Sequence, residues 1–519
     1  MMSAREHARE ELSRRDVLGL VGRGAVGAAV TGAVGAAGFA GPAAASAAPR
    51  VASPAPRLTP GTPRTRFKSR PDLDPPLMQV AVPGAIAPGE YVFVTPSLAP
   101  GASPASSDQS GPYATGQPGA MILDSHGNVV WFHPVRGVAT DLQVQSYKGK
   151  PVLTFWQGAI VNGIGYGEAL LLDSTYQTIA TIKGGNGLRT DLHELVVTPQ
   201  DTVIVTAYAE RDADLSAVGG PSNGKVFDSV AQEIDVATGD VVFEWRSFDH
   251  VPVTESYMKP AKGAFDYFHI NSVSIDSDGN FLISSRNTWT IYKVSRATGA
   301  IIWRLGGKGN DFEMGPGTHF YWQHHVRRVG GLLTVFDDGA TPPEEPHSRA
   351  LLLALDEAAR SARLRRAYVH PAGLLAYYEG SVEILPNGHV FVGWGTEPYY
   401  TEFAPDGSVV LDGRFPTNVQ SYRAFKSAWA GAPSSPPAFA VDRDAVGGIA
   451  VHASWNGATA VTHWQVLAGA GPSSLEPVAT LARARFETAM TARTTGSYVA
   501  VSALDAKGRR LGTSAPVRI

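Results

Sequence analysis

The sequence predicts an all-β chain, and three observations carry that reading. From about Met78 onward, short alternating apolar runs are broken by Gly, Asp, Asn and Pro, the punctuation of strands and tight turns. Helical periodicity is almost absent; "RALLLALDEAARSARLRRAY", beginning at Arg349, is the main segment that reads either way. A strand–turn–strand element also recurs, with Asp at the turn. Asp124 marks it in "MILDSHGNVVWFHP", Asp173 in "LLLDSTYQTIATI", Asp235 in "QEIDVATGDVVFEW", Asp356 in "LLALDEAARSARLRRAY" and Asp406 in "TEFAPDGSVVLDGRF". Arg296 takes the same place in "YKVSRATGAIIWRL". These six copies lie roughly 50 to 60 residues apart. Repeats of that length made of four short strands point to a β-propeller, and six copies imply six blades. "EYVFVTP" around Tyr91 is expected to close the ring.

The elements follow in order. Residues 1–47 read as an export signal: Arg14 and Arg15, then Val17 and Leu18, a small-residue apolar run, and "ASA" at Ala45–Ala47 for a signal peptidase. This pattern resembles a bacterial twin-arginine signal, so a secreted or extracytoplasmic product is expected. Residues 48–75 are Pro-rich and polar and read as a flexible linker. Residues 76–431 hold the six repeats. From 432 to 519 the character shifts: after "GAPSSPPAFAV" come seven or so short strands, with Trp455 and Tyr498 as candidate core aromatics. That pattern predicts a fibronectin type III-like sandwich.

Bulk properties exclude several functions. The 519 residues carry a formal charge of −3 and no basic block, which argues against a nucleic-acid partner. There is no cysteine, so disulfides, thiolate catalysis and Cys-ligated metals are excluded.

A second hairpin lies between successive repeats. Aligned by their turns, these hairpins begin at Gln143, His193, His269, His324 and Ser381. Equivalent positions on successive blades converge toward one axis, and three of these five are histidine, out of 14 in the chain. Asn271 shares the face of His269, and Arg286 returns roughly opposite it across the turn at Asp278. Asp337 returns roughly opposite His324, where it is expected to hold the imidazole in one tautomer. A guanidinium fork with histidine and amide donors suits a sulfate or phosphate. Arg286 opposes a metal cation, and no HxH or HExxH spacing is present, so no metal or other cofactor is expected. Adjacent strand residues face opposite ways, so His324 is expected to face the channel and His325 the blade. Trp156, Tyr321 and Trp322 are candidates for an aromatic entrance or for blade core.

"FHINSVSIDSDGNFLISSRNTWTIYKVSRATGAIIWRLGG" and "FYWQHHVRRVGGLLTVFDDG" together resemble the arylsulfotransferase family of exported bacterial propellers. The resemblance implies six blades, no nucleotide, and ping-pong transfer of a sulfuryl group from an aryl sulfate to a phenol. It implies His324, directly after Gln323, as the nucleophile. His193, His269, Asn271 and Arg286 match the positions that hold the sulfuryl group, with His193 as proton donor to the leaving phenolate; Gln323, Ser381 and Gln143 are further candidate contacts. This chain departs from the family pattern at His325, where an acid is often found, and at Asp338, where Asn is often found. Two other readings stay open: a non-catalytic propeller with cell-surface or polymer contact through the C-terminal module, and a metal-dependent lactonase or lyase.

Overall fold

The computed structural model describes residues 66–81, 90–98, 116–416, 418–444 and 446–519. The expected export signal and residues 48–65 of the expected linker lie outside them. The described residues are all-β. From Val138 to Arg414 the chain builds five antiparallel sheets in succession, each at its core a four-strand meander. Their first strands are Val138–Tyr147, Leu195–Val197, Ile270–Ile275, His324–Val329 and Ser381–Ile384. Another sheet is built from both ends of this region: Val419–Ala428 pairs with Glu90–Leu98, which continues to Gly119–Leu123 and Val129–Pro134. The Tyr91 strand thus joins late chain to early chain. The ambiguous segment at Arg349 is two paired strands, Arg349–Asp356 and Ser361–Tyr368.

The Asp-marked turns link third and fourth strands. Asp124 Oδ1 accepts from the backbone N–H of His126 and Asn128, and Asp173 Oδ1 from Thr175 and Gln177, so the carboxylate closes the turn on itself.

The strands of these sheets bury apolar residues on both faces. Phe93 packs with Leu153 and Leu170 of the following sheet, while Val92 and Val94 on its other face pack with Phe391 and Leu411. Likewise Leu351 and Leu353 face Ile291, whereas Ala350 and Leu352 face Val390 and Phe403. The period-2 alternation therefore sorts apolar residues between two cores, not between core and solvent.

The first strands are also tied to one another in a closed cycle. Backbone N–H groups of Leu195, Val273, Val326, Val382 and Ala424 donate to side chains of the preceding sheet: Asp141, Glu194, Ser272, His325 and Ser381, at 3.1 to 3.2 Å. Arg423 completes the cycle by donating to Asp141 at 2.8 Å and Glu194 at 2.9 Å, with no exposure of any of the three side chains.

The C-terminal residues form a three-stranded sheet (Ala438–Arg443, Gly448–Ser454, Glu487–Arg493) and a second sheet centred on His463–Gly469 and Tyr498–Leu504, around one shared core. Trp464 is the fully buried tryptophan of that core; the expected Trp455 follows the strand end, packs against the same core partly buried, and donates its Nε1–H to Ser435 O. The expected linkers are partly structured. Phe67 and Leu73 are buried, Phe67 meets Phe486 at 4.3 Å, and Ala438–Arg443 is a strand. The module is docked rather than loosely tethered, because Asn456 exchanges two 2.9 Å bonds with the backbone of Phe132 and Tyr176 donates to Gly457 O at 2.8 Å.

Arg423→Met should destabilise the chain by about 3–5 kcal/mol, since it strands two buried carboxylates. Denaturant unfolding measures this; an unchanged midpoint would show that the cycle does not need its guanidinium.

Candidate functional site

The segment before His324 is clamped first. Gln323 is fully buried, and its Nε2 donates to Ser284 Oγ at 3.0 Å and Ser285 O at 2.9 Å. Gln323 therefore fixes the entry of the strand; its amide N–H groups are not directed at a ligand. His324 follows, 2 % exposed, with Nδ1 2.7 Å from Asp338 Oδ2. The backbone N–H of Glu379 points at His324 Nε2 from 3.3 Å. A donor aimed at Nε2 requires a lone pair there, so the ring hydrogen sits on Nδ1 and is donated to Asp338. Burial, reinforced by Arg286, holds the imidazole neutral, well below its ordinary pKa.

The partner of His324 is thus Asp338, not the expected Asp337. Asp337 accepts from the backbone of Tyr321 and pairs with Arg349. The reason is a register shift between His324 and Arg327, which a regular strand count misses. Burial, opposed by Arg286, pushes the Asp338 carboxyl well above its usual range. His325 faces the other way: its Nδ1 accepts from Val382 N and its ring lies 5.4 Å from Phe425.

The same shift corrects the alignment of the hairpins. Similar irregularities follow Thr140 and Ile270. The side chains of the hydrogen-bonded cycle set the true equivalence, and the residue just before each is Thr140, His193, Asn271, His324, Gly380 or Tyr422. His193 and His324 are equivalent as expected. Asn271 takes the place assigned to His269, Thr140 that of Gln143, and Gly380 that of Ser381. Ser381 and Gln143 serve the scaffold: Ser381 Oγ donates to Ala424 O at 2.9 Å, and Gln143 Nε2 lies 3.2 Å from Asp141 Oδ2.

His193, His269 and Arg286 do gather at His324. The His193 and His269 rings meet edge to face at 4.8 Å. His193 Nδ1 lies 2.5 Å from Asp191 Oδ2, and His269 Nδ1 2.5 Å from Asp266 Oδ2. Asp191 stays below the usual carboxylate range: burial opposes its ionisation, but His193 and the backbone N–H of Gly165 and His193 outweigh it. Burial keeps His193 neutral. Its one ring hydrogen is therefore directed at Asp191, and the proton-donor role read from the sequence belongs to the protonated ring. The turn after Lys150–Val161 reaches over this pair, since a Cβ on Gly163 would stand 3.4 Å from His269 Cε1.

Arg286 stacks over Trp322 at 4.7 Å and donates to Asn287 Oδ1 and Tyr377 O at 3.1 Å each. Among the described residues it has no carboxylate partner within ion-pair distance, and its buried Nε–H has no acceptor. Asn271 gives one amide hydrogen to Gln323 O at 2.6 Å, leaving buried Oδ1 without a partner. Asp338 Oδ1 and Asp266 Oδ1 are also unpartnered. Buried polar atoms are rarely left unpaired: the free Arg286 N–H calls for an acceptor and the Asn271, Asp338 and Asp266 oxygens call for a donor, so their gathering marks a place for a polar ligand that offers both. Among the described residues, no group of three or more His, Asp or Glu is arranged to hold a metal ion. Trp156 is core, bonded through Nε1 to Thr190 O. Tyr321 and Trp322 each lie 5.0 Å from Trp289, which stacks on the exposed Tyr257 at 3.5 Å.

The arylsulfotransferase (ASST) family pattern matches residues 143–416, which contain His193, His269, Asn271, Arg286, His324 and Asp338. The chain belongs to the arylsulfotransferase family. Membership makes sulfotransferase chemistry on aryl sulfates and phenols its general activity class. No curated protein matches the chain. Similar solved structures include a Bacteroides caccae protein of unknown function (TM-score 0.39, 10% identity, 65% of this chain and 98% of that one). Another is an inactive virginiamycin B lyase from Staphylococcus aureus with quinupristin (0.33, 8%, 73% and 96%). A third is a GH43 protein, BlXynB, from Bacillus licheniformis (0.30, 9%, 73% and 89%).

Acid should reach the raised Asp338 carboxyl before the depressed His324 ring. The carboxylate that accepts from Nδ1 is lost as pH falls through that raised pKa; the new O–H then donates to Nδ1, and the ring hydrogen moves to Nε2. Nitrogen NMR should record a change of tautomer without charging. An imidazolium signal appearing first would contradict this electrostatic picture.

Proposed function

We propose that the chain is an exported sulfotransferase that moves a sulfuryl group from a phenolic sulfate ester to a phenolic acceptor through a sulfo-histidine on His324. The observation that carries the reading is a neutral imidazole with its Nε2 lone pair fixed next to a guanidinium that, among the described residues, has no carboxylate within ion-pair distance. Sulfuryl transfer resembles phosphoryl transfer through a loose transition state, so the protein's work is positioning and charge stabilisation. Nε2 attacks sulfur in line and the S–O bond electrons leave with the phenolate oxygen. Arg286 holds the sulfuryl oxygens, and the Nδ1–H bond to Asp338 stabilises the positive charge that the ring acquires. An acceptor phenol then attacks the same sulfur from its oxygen, and the N–S electrons return to Nε2. Glu379 N–H yields Nε2 to sulfur in the first step and recovers it in the second.

The scaffold reading belongs to the same proposal. The six sheets are the blades of a β-propeller, with the sheet containing Glu90–Leu98 closing it, and the docked module is fibronectin type III-like. Residues 1–47 direct twin-arginine export.

Mixing the protein with 4-nitrophenyl sulfate should add about 80 Da, one sulfuryl group, to the peptide carrying His324. His324→Ala should abolish the adduct and transfer while the protein stays folded. Arg286→Leu should slow transfer by about 10²- to 10³-fold, the usual loss for one oxyanion donor. His325→Ala should cost stability and spare the chemistry. An adduct that survives His324→Ala would sink the assignment.

A further inference from the structure

Transfer from an aryl ester leaves a phenolate, and transfer to a phenol releases a proton. Both halves gain from a group that exchanges one proton at the reacting oxygen. The flanking histidines are not set for this in the neutral state. His193 spends its ring hydrogen on Asp191, and His269 directs Nδ1 at Asp266, so its Nε2 carries a hydrogen only when that ring is charged.

Glu379 differs from the other acids of the site. Its backbone N–H touches the attacking nitrogen, so its side chain branches one atom away from that contact. It is half-buried, whereas Asp338, Asp337 and Asp191 are almost wholly enclosed. No cation pairs with its carboxylate among the described residues, although Asp337 has Arg349 and Glu194 has Arg423 and Arg327. Its carboxyl partner is the Gln420 amide, whose Nε2 lies 3.1 Å from both oxygens. Gln420 Oε1 is buried without a partner, an acceptor left over that suits an O–H on the carboxyl after rotation of the amide. A left-handed φ of 73° at Glu379, beside Gly380, fixes this turn of the chain against His324.

We propose that Glu379 is the proton-exchanging catalytic residue of the sulfuryl transfer described above, and the inference rests on that reading. In the first half, as His324 Nε2 bonds to sulfur and the S–O bond breaks, the phenolate oxygen takes the hydrogen of the Glu379 carboxyl. In the second half, the resulting carboxylate takes the hydroxyl hydrogen of the acceptor phenol while its oxygen bonds to sulfur and the N–S bond breaks. Glu379 ends protonated, as it began, and no other reactant is consumed. Burial, opposed by the Gln420 bond, pushes the carboxyl up to about 8, between the reference values of an acid and a phenol. The charged and titratable groups around it are Asp338, Tyr378 and His324, with Arg286 acting on the first two. Burial sets the acid form as the resting state near neutral pH.

The test compares Glu379→Gln with the unaltered chain on two donors. 4-Nitrophenyl sulfate releases a stable phenolate that needs no proton; phenyl sulfate does not. The variant should lose about 10²- to 10⁴-fold with phenyl sulfate, the usual range for general acid–base catalysis, and only a few-fold with the nitrophenyl ester. His324 sulfation by the nitrophenyl ester in the variant shows that fold and nucleophile are intact. With the unaltered chain, the rate of adduct formation from phenyl sulfate should fall as pH rises through about 8, and the variant should lack that limb. Equal losses on both donors, or none on phenyl sulfate, overturn the role of Glu379 while leaving the sulfo-histidine standing. If the unaltered chain forms no adduct with either ester, the transfer reading and this role fall together.

Discussion

Arg423 is the residue on which the arrangement turns. Five of the six ties between first strands are single hydrogen bonds from a backbone N–H to a side chain. The sixth is a guanidinium reaching Asp141, Glu194 and the carbonyl of Asn271 at 3.0 Å. It joins the last strand of the six-sheet region to the first, and carries a charge into a place with no solvent. Such a knot is weak evidence for stability, since charges are costly to bury. Its geometric consequence is firmer: Glu194 and Asn271, bonded to one guanidinium, hold the neighbouring His193 and the backbone around His269 in fixed relation.

The site follows from that constraint and from local departures from strand regularity. Asp141, His269, His325 and Glu379 all have left-handed φ values, between 48° and 73°, within or just before a first strand. These turns of backbone break the alternation of the pleat. They allow His324 to meet Asp338 and Glu379 while His325 closes the cycle one residue later. Strain of this kind recurs where structure is shaped for function. Here it sits against unpaired buried atoms of Arg286, Asn271 and Asp338.

The strand pattern and the Asp turns were legible because each is written locally, in period-2 alternation and in turn chemistry. His324, His193 and His269 were legible because they recur near hairpin starts, Arg286 because it returns across the turn from His269, and all four because they match a family pattern. What the sequence hid depended on the bulges. Counting back from a turn assumes one residue per step, which made Asp337 rather than Asp338 the partner of His324 and gave Gln143 and Ser381 roles that belong to Thr140 and Gly380. Asp191 and Asp266 had a usable signal, an acid two or three residues before a histidine in "DLH" and "DYFH". Glu379 had none, because its link to His324 runs through the backbone. The docking of the C-terminal module was equally hidden: proline-rich composition says nothing of where Asn456 and Phe67 will land.

The central claim is that His324 carries the group between donor and acceptor. Rapid mixing with 4-nitrophenyl sulfate in the absence of any phenol tests it most directly. A covalent histidine intermediate requires a burst of nitrophenol close to a single equivalent per chain, followed by a slow phase that an added phenol accelerates. Release that is linear from the first instant, or that begins only when the acceptor is present, would mean that the sulfuryl group passes directly between substrates and that His324 does not bond to it.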